Sequence, residues 1–201
     1  MARPPKLILF DLGGVLIELR GVATMAELSG IDDEGELWRR WLDCRWVRIF
    51  ESGGCTPGDF ARGVVDNWQL PIGPDEFLEM FVTWPTGPID GAEDLVREVA
   101  AVMPVGCLSN TNELHWDANT EHWPLIAPFR HRFVSHKMGR VKPDIDAFAW
   151  VVDAVEVAPA SVLFLDDIDM NVEGARTAGF CAERVSGVEG ARRALEAHGI
   201  L

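Results

Sequence analysis

Apolar runs of a few residues recur along most of the chain, each closed by polar or turn-forming positions. The first, "KLILF" (Lys6 to Phe10), runs into Asp11 and a Gly-Gly pair, the pattern of a buried parallel strand with a loop at its carboxyl end. Comparable runs surround Val105 in "MPVGCLS", Phe133 in "HRFVS", Leu163 in "SVLFLDD" and Ala182 in "GFCAERV". Between them, Glu93 to Ala101, Asp144 to Val155, Asn171 to Ala178 and Glu189 to His198 place apolar residues three and four apart, as helices with one buried face do. Strands alternating with helices predict an α/β fold with a parallel sheet and right-handed crossovers. Ligands of such sheets are received at the carboxyl ends of the strands.

One stretch breaks the alternation. From about Glu18 to Pro88 the pattern predicts no strand. Instead, "ELWRRWLDCRWVRIF" sets Trp38, Trp41, Leu42, Arg45, Trp46, Ile49 and Phe50 close to helical spacing. "TPGDFARGVVDNW" follows with Thr56 as its N-cap, and "GPDEFLEMFVTW" supplies a third helix. The expected organisation is a core of residues 1–17 and 88–201 and a helical subdomain of residues 18–87 hanging over the strand ends. The Trp-rich stripe reads chiefly as packing for that subdomain.

With 201 residues, 48% hydrophobic and 25% charged, the chain can bury a substantial core. No run reaches the roughly 18 apolar residues of a membrane helix, so no membrane partner is expected. The formal net charge of −14, with eighteen basic residues and no basic cluster, argues against nucleic acid. It also requires that a small anionic substrate be received by a metal ion or a few placed donors. The apolar run in "MARPPKLILFDLGG" is too short for a secretory signal. Cys44, Cys55, Cys107 and Cys181 form no CxxC pair and read as reduced thiols, so a cytoplasmic location is expected. Composition leaves monomer and homodimer equally open.

Four of the predicted strands end in polar residues of different kinds. Asp11 follows the first, Ser109, Asn110, Thr111 and Asn112 the second, Lys142 in "GRVKPD" the third, and Asp166 and Asp167 the fourth. Together they make a phosphoryl-transfer kit. Asp11 can attack phosphorus, Asp11 with Asp167 can hold Mg²⁺, and Ser109 and Lys142 can neutralise the non-bridging oxygens.

In "FDLGGV", "LSNTN", "GRVKPD" and "FLDDIDMNVEGA", taken in order, the chain resembles the haloacid dehalogenase-like (HAD) hydrolases over nearly its whole length. More narrowly it resembles the phosphatases with a small helical cap inserted after the first strand. "DLGGV", "LSNTNELH" and "FESGGCTPGDF" are similar to phosphatases of α-D-glucose 1-phosphate. The resemblance implies a Rossmann-like core with an inserted helical cap and an aspartyl-phosphate formed on Asp11. It implies Mg²⁺ held by Asp11, the Gly13 carbonyl and Asp167, with Asp166 and Asn171 orienting the ligands and Lys142. It gives Ser109, Asn110 and Lys142 to the substrate phosphate.

Most of the family carries a second Asp two residues after the nucleophile as general acid and base; here that position is Gly13. Losing such help typically slows a reaction about 10²- to 10⁴-fold. His115 is the first candidate to replace it, ahead of Glu18 and Glu51; a leaving group that departs without protonation would need no replacement. The expected function is Mg²⁺-dependent hydrolysis of a small phosphorylated metabolite, favouring a sugar phosphate such as a hexose 1-phosphate. The alternatives are a catalytically weak relative that binds a phosphorylated ligand or protein partner, and a 2-haloacid dehalogenase.

Overall fold

In the computed structural model, which describes residues 4–201, the opening apolar run forms β1 (Leu7–Phe10), buried along its whole length. A turn leads to β2 (Ile17–Leu19), and five helices follow: α1 (Gly21–Ser29), α2 (Glu34–Asp43), α3 (Arg45–Glu51), α4 (Pro57–Trp68) and α5 (Pro74–Phe81). The chain returns through β3 (Pro85–Pro88) to α6 (Ala92–Val102), β4 (Val105–Ser109), β5 (His131–Val134), α7 (Ser135–Met138) and α8 (Ile145–Ala154). It ends with β6 (Val162–Asp166), α9 (Asp169–Thr177), β7 (Cys181–Arg184) and α10 (Gly187–Ala197).

The main sheet has the order β5-β4-β1-β6-β7, and every pairing is parallel. Side chains alternate across it. Ile8 and Phe10 face Leu95, Val99 and Leu195 of α6 and α10, whereas Leu7 and Leu9 face the layer holding Phe148, Val151 and Val172 of α8 and α9. Burial on both faces explains the uninterrupted apolar runs. The predicted Rossmann-like α/β architecture is the observed one.

The helices between β2 and β3 have their own core, in which Trp41, Phe60, Phe77, Phe81 and Trp84 interlock. Thr56 caps α4 by accepting the Asp59 N–H, with Pro57 in the first turn. Two features depart from the sequence reading. The periodic stretch around Trp41 is two helices, broken where Cys44 turns extended (ψ 117°). The segment read as strand-free begins and ends in an antiparallel ribbon, β2 with β3, pairing Ile17 with Pro88 and Glu18 with Gly87. Two prolines and a glycine hide β3 from any propensity argument.

Arg48 of α3 forms a salt bridge with Asp144, just before α8. Gly53, at φ 73°, lies so close to the His136 carbonyl of α7 that a Cβ there would sit 2.7 Å from it. The end of α3 is thus bridged to the core by Arg48 and packed against α7 at Gly53.

Candidate active site

The strand ends bring the predicted acids and lysine to one place. Asp11 leaves β1 with its N–H donating to the Leu165 carbonyl of β6 (2.8 Å), so strand pairing sets where its carboxylate starts. Lys142 Nζ lies 3.0 Å from Asp11 Oδ1 and 2.7 Å from Asp166 Oδ2. Lys142 is 1% exposed and Asp166 0%, a depth at which a charge must be paired. Burial opposes the ammonium charge, but the two carboxylates outweigh it and hold Lys142 above the ordinary lysine range. It stays charged where an anion would arrive.

Asp166 is fully engaged. Besides Lys142, it accepts from the Ile168 N–H (2.8 Å) and from Asn171 Nδ2 (3.1 Å to each oxygen). Carboxylate oxygens of Asp11, Asp166 and Asp167 lie within 4.8 Å of one another, and with Asp166 committed, Asp11 and Asp167 are the pair left for a cation. Burial pushes Asp11 up to about 6 against the pull of Lys142, and pushes Asp167 up to about 8 with the charges of Asp11 and Asp166 adding. This corner holds more negative charge than Lys142 balances, the imbalance a divalent cation corrects. Asn171 Oδ1 is also buried without a partner among the described residues, an acceptor left over beside the acids. An all-oxygen donor set of this kind suits Mg²⁺.

The Gly-Gly pair makes the corner possible. Gly14 has φ 69°, and a Cβ there would overlap the Asp167 carboxylate. The sequence shows the turn but not which side chain needs the room. At Gly13 a Cβ would instead overlap Leu19 Cδ1.

Ser109, the last residue of β4, is buried beside Asp11 and Lys142 in the wall of a cavity between the sheet rim and the helical insertion. Its hydroxyl has only a long contact, 3.5 Å, to the Asn110 carbonyl. Asn110, expected to bind substrate, lines the same cavity, but its side-chain amide is engaged elsewhere. Its Nδ2 donates to the Lys142 carbonyl and its Oδ1 accepts the Lys142 N–H, both at 2.9 Å, so its amide fixes the lysine loop ahead of the cis Lys142–Pro143 bond.

His115 also departs from expectation. Its Nε2 is 2.7 Å from the Phe81 carbonyl, its Nδ1 is 3.2 Å from Asn112 Nδ2, and its ring stacks on Phe81. Nε2–H donates and Nδ1 accepts in the only tautomer that satisfies both contacts. Burial pulls its pKa to about 4, with the Phe81 bond resisting, so His115 joins helix α5 to the rim as a neutral ring with no free nitrogen. Glu51, the last residue of α3, lines the cavity, whereas Glu18 is exposed and accepts from the Thr86 hydroxyl (3.2 Å).

The chain has the haloacid dehalogenase-like fold. A HAD family enzyme from Bacteroides thetaiotaomicron, solved with magnesium and inorganic phosphate, superposes with a TM-score of 0.69 at 23% identity, covering 90% of this chain and 94% of that one. The L-2-haloacid dehalogenase of Xanthobacter autotrophicus shares the fold as well (TM-score 0.64, 21% identity, 98% and 84% covered), so the fold serves more than one chemistry.

Among curated proteins, the chain is similar to the bifunctional riboflavin kinase/FMN phosphatase of Arabidopsis thaliana, at 25% identity over 188 residues. That match spans 86% of this chain but 46% of that protein, so the chain corresponds to under half of it. It is also similar to the D-ribitol-5-phosphate phosphatase of Bacteroides thetaiotaomicron, at 23% identity over 184 residues, 87% of this chain and 89% of that protein. No protein-family model matches the chain.

Proposed function

We propose that this chain is an Mg²⁺-dependent phosphoric monoester hydrolase acting on a small phosphorylated metabolite. The observation that carries the reading is the Lys142 ammonium held between Asp11 and Asp166, beside an Asp167 that has no such partner among the described residues. Nucleophile, anion-neutralising cation and cation-binding carboxylate share one rim. An oxygen of Asp11 attacks phosphorus as the ester oxygen departs; water then attacks the aspartyl-phosphate, releasing phosphate and restoring the carboxylate. Lys142 and the Ser109 hydroxyl serve the non-bridging oxygens. Asp11, Asp167 and the Gly13 carbonyl would hold Mg²⁺, which when bound supplies charge neutralisation at the phosphoryl oxygens. Asp166, Asn110 and Asn171 orient these groups, and the insertion, residues 18–87, acts as a cap.

Within this class the reading favours a sugar phosphate, in its sharpest form a hexose 1-phosphate. The flat apolar face of Trp38, half-buried on the insertion side of the cavity, suits one face of a sugar ring. The two curated relatives are named for FMN and D-ribitol 5-phosphate, which supports a small phosphorylated metabolite rather than one particular sugar phosphate.

The test is hydrolysis of a phosphate-ester panel with and without Mg²⁺, comparing the parent with Asp11→Asn. Turnover that requires both Mg²⁺ and the Asp11 carboxylate supports the reading. Turnover indifferent to either overturns it, and binding of inorganic phosphate without turnover would assign the chain to ligand binding instead.

A further inference from the structure

Gly13 leaves the rim without the second carboxylate that would give the leaving group its proton, Asp167 being assigned to the cation, and His115 has no free nitrogen to supply one. The helical insertion contributes a wall of Val22, Met25, Leu37, Trp38, Trp41 and Trp84 to the cavity, and among the residues that the insertion itself contributes only Glu51 is ionisable. Glu51 is 9% exposed. Among the described residues, no lysine, arginine or histidine nitrogen lies within 4 Å of its carboxylate: Lys142 is taken by Asp11 and Asp166, and Arg48 by Asp144. A buried carboxylate without a cationic partner holds its proton. Its place in the last turn of α3, where free carbonyls point outward, disfavours its charge further.

We infer that Glu51 is the general acid and base of this site, delivered from the insertion to replace the carboxylate that position 13 lacks. The inference rests on the phosphatase reading above. As Asp11 attacks and the bond from phosphorus to the ester oxygen breaks, that oxygen takes the Glu51 proton, leaving a carboxylate. In the second step the attacking water gives its proton to that carboxylate as the bond from phosphorus to Asp11 breaks. The cycle ends with Glu51 protonated and Asp11 free.

The groups facing Glu51 fit this task. Burial pushes its carboxyl from an ordinary 4.5 to about 7; Lys142 on the rim, the Trp41 indole of α2 and Arg48 on its own helix pull the other way, and Asp11 adds to the rise. The Arg48–Asp144 bridge and the close approach of Gly53 to His136 fix the end of the helix that carries it.

The experiment measures kcat/KM for a series of phosphate monoesters, from p-nitrophenyl to simple alkyl, in the parent, Glu51→Gln and Glu51→Ala, with Asp11→Asn as control. Kcat/KM reports the steps through departure of the leaving group, so Glu51→Gln should lower it about 10²- to 10⁴-fold for the alkyl ester. For the p-nitrophenyl ester, whose leaving group needs no proton, the loss should stay within about tenfold, and a p-nitrophenol burst should appear as the second step becomes limiting. Formate should partly restore Glu51→Ala. An equal effect across the series, without burst or rescue, overturns the assignment of Glu51 and leaves the phosphatase reading intact. Activity surviving in Asp11→Asn strikes the phosphatase reading itself.

Discussion

Leu19 occupies the space into which a side chain at position 13 would grow. The overlap of its Cδ1 with a Cβ at Gly13 means that the missing acid is not a simple deletion: the strand after the motif has filled its place with a methyl group. Leu19 is half-buried and the overlapping atom is the free end of its side chain, so Gly13→Asp should destabilise the protein by about 1 kcal/mol, the low end for overpacking. Adding Leu19→Ala should recover part of that loss. Urea unfolding of the two single variants and the double variant checks this; strict additivity would contradict the shared space.

Gly14 is constrained by both its backbone and its neighbour. Gly14→Ala places a methyl against the Asp167 carboxylate at φ 69°, so it should weaken Mg²⁺ binding more than it weakens the fold. The check is the rise in Tm with added Mg²⁺. A concentration dependence unchanged from the parent would show that Asp167 is not a ligand.

Lys142→Met removes the single positive charge between Asp11 and Asp166. Leaving buried carboxylates without their cation should cost about 3–5 kcal/mol in Mg²⁺-free protein, readable by denaturant unfolding near neutral pH. Turnover should be lost as well.

Glu51 gives a pH-dependent signature independent of activity. Its folded pKa is raised from 4.5 to about 7, chiefly by burial, so its contribution is fully present below about pH 4.5 and lost as pH rises through 7. The full rise corresponds to about 3 kcal/mol. In Mg²⁺-free protein Glu51→Gln should thus be more stable than the parent at pH 8, by up to that amount, with the difference fading toward pH 4. A pH-independent difference would place Glu51 in solvent.

Much of this site is legible in the sequence because its acids follow buried strands, and a buried parallel strand announces itself by composition; Lys142 comes instead from the loop after α7. Asp11, Ser109 and Asp166 are located by the runs before them. Less legible is anything decided across the fold. Asn110 looks like a free amide until Lys142 arrives from 32 residues away, and His115 looks like a free base until Phe81 closes over it. The β2–β3 ribbon is invisible because Pro85, Gly87 and Pro88 pair through the backbone while their side chains argue against pairing. Glu51 is one acid among many in the sequence, and only the turn of α3 toward the rim distinguishes it.

The contacts at the end of α3 have a consequence for selectivity. Arg48 bridges the helix that carries Glu51 to Asp144 of the core, and Gly53 packs against the His136 backbone, so on the Glu51 assignment proton supply would depend on how the insertion is seated. A molecule that fits beneath it would meet Asp11 and the acid together. One that props it open would meet Asp11 alone, and only esters that leave unaided would then react.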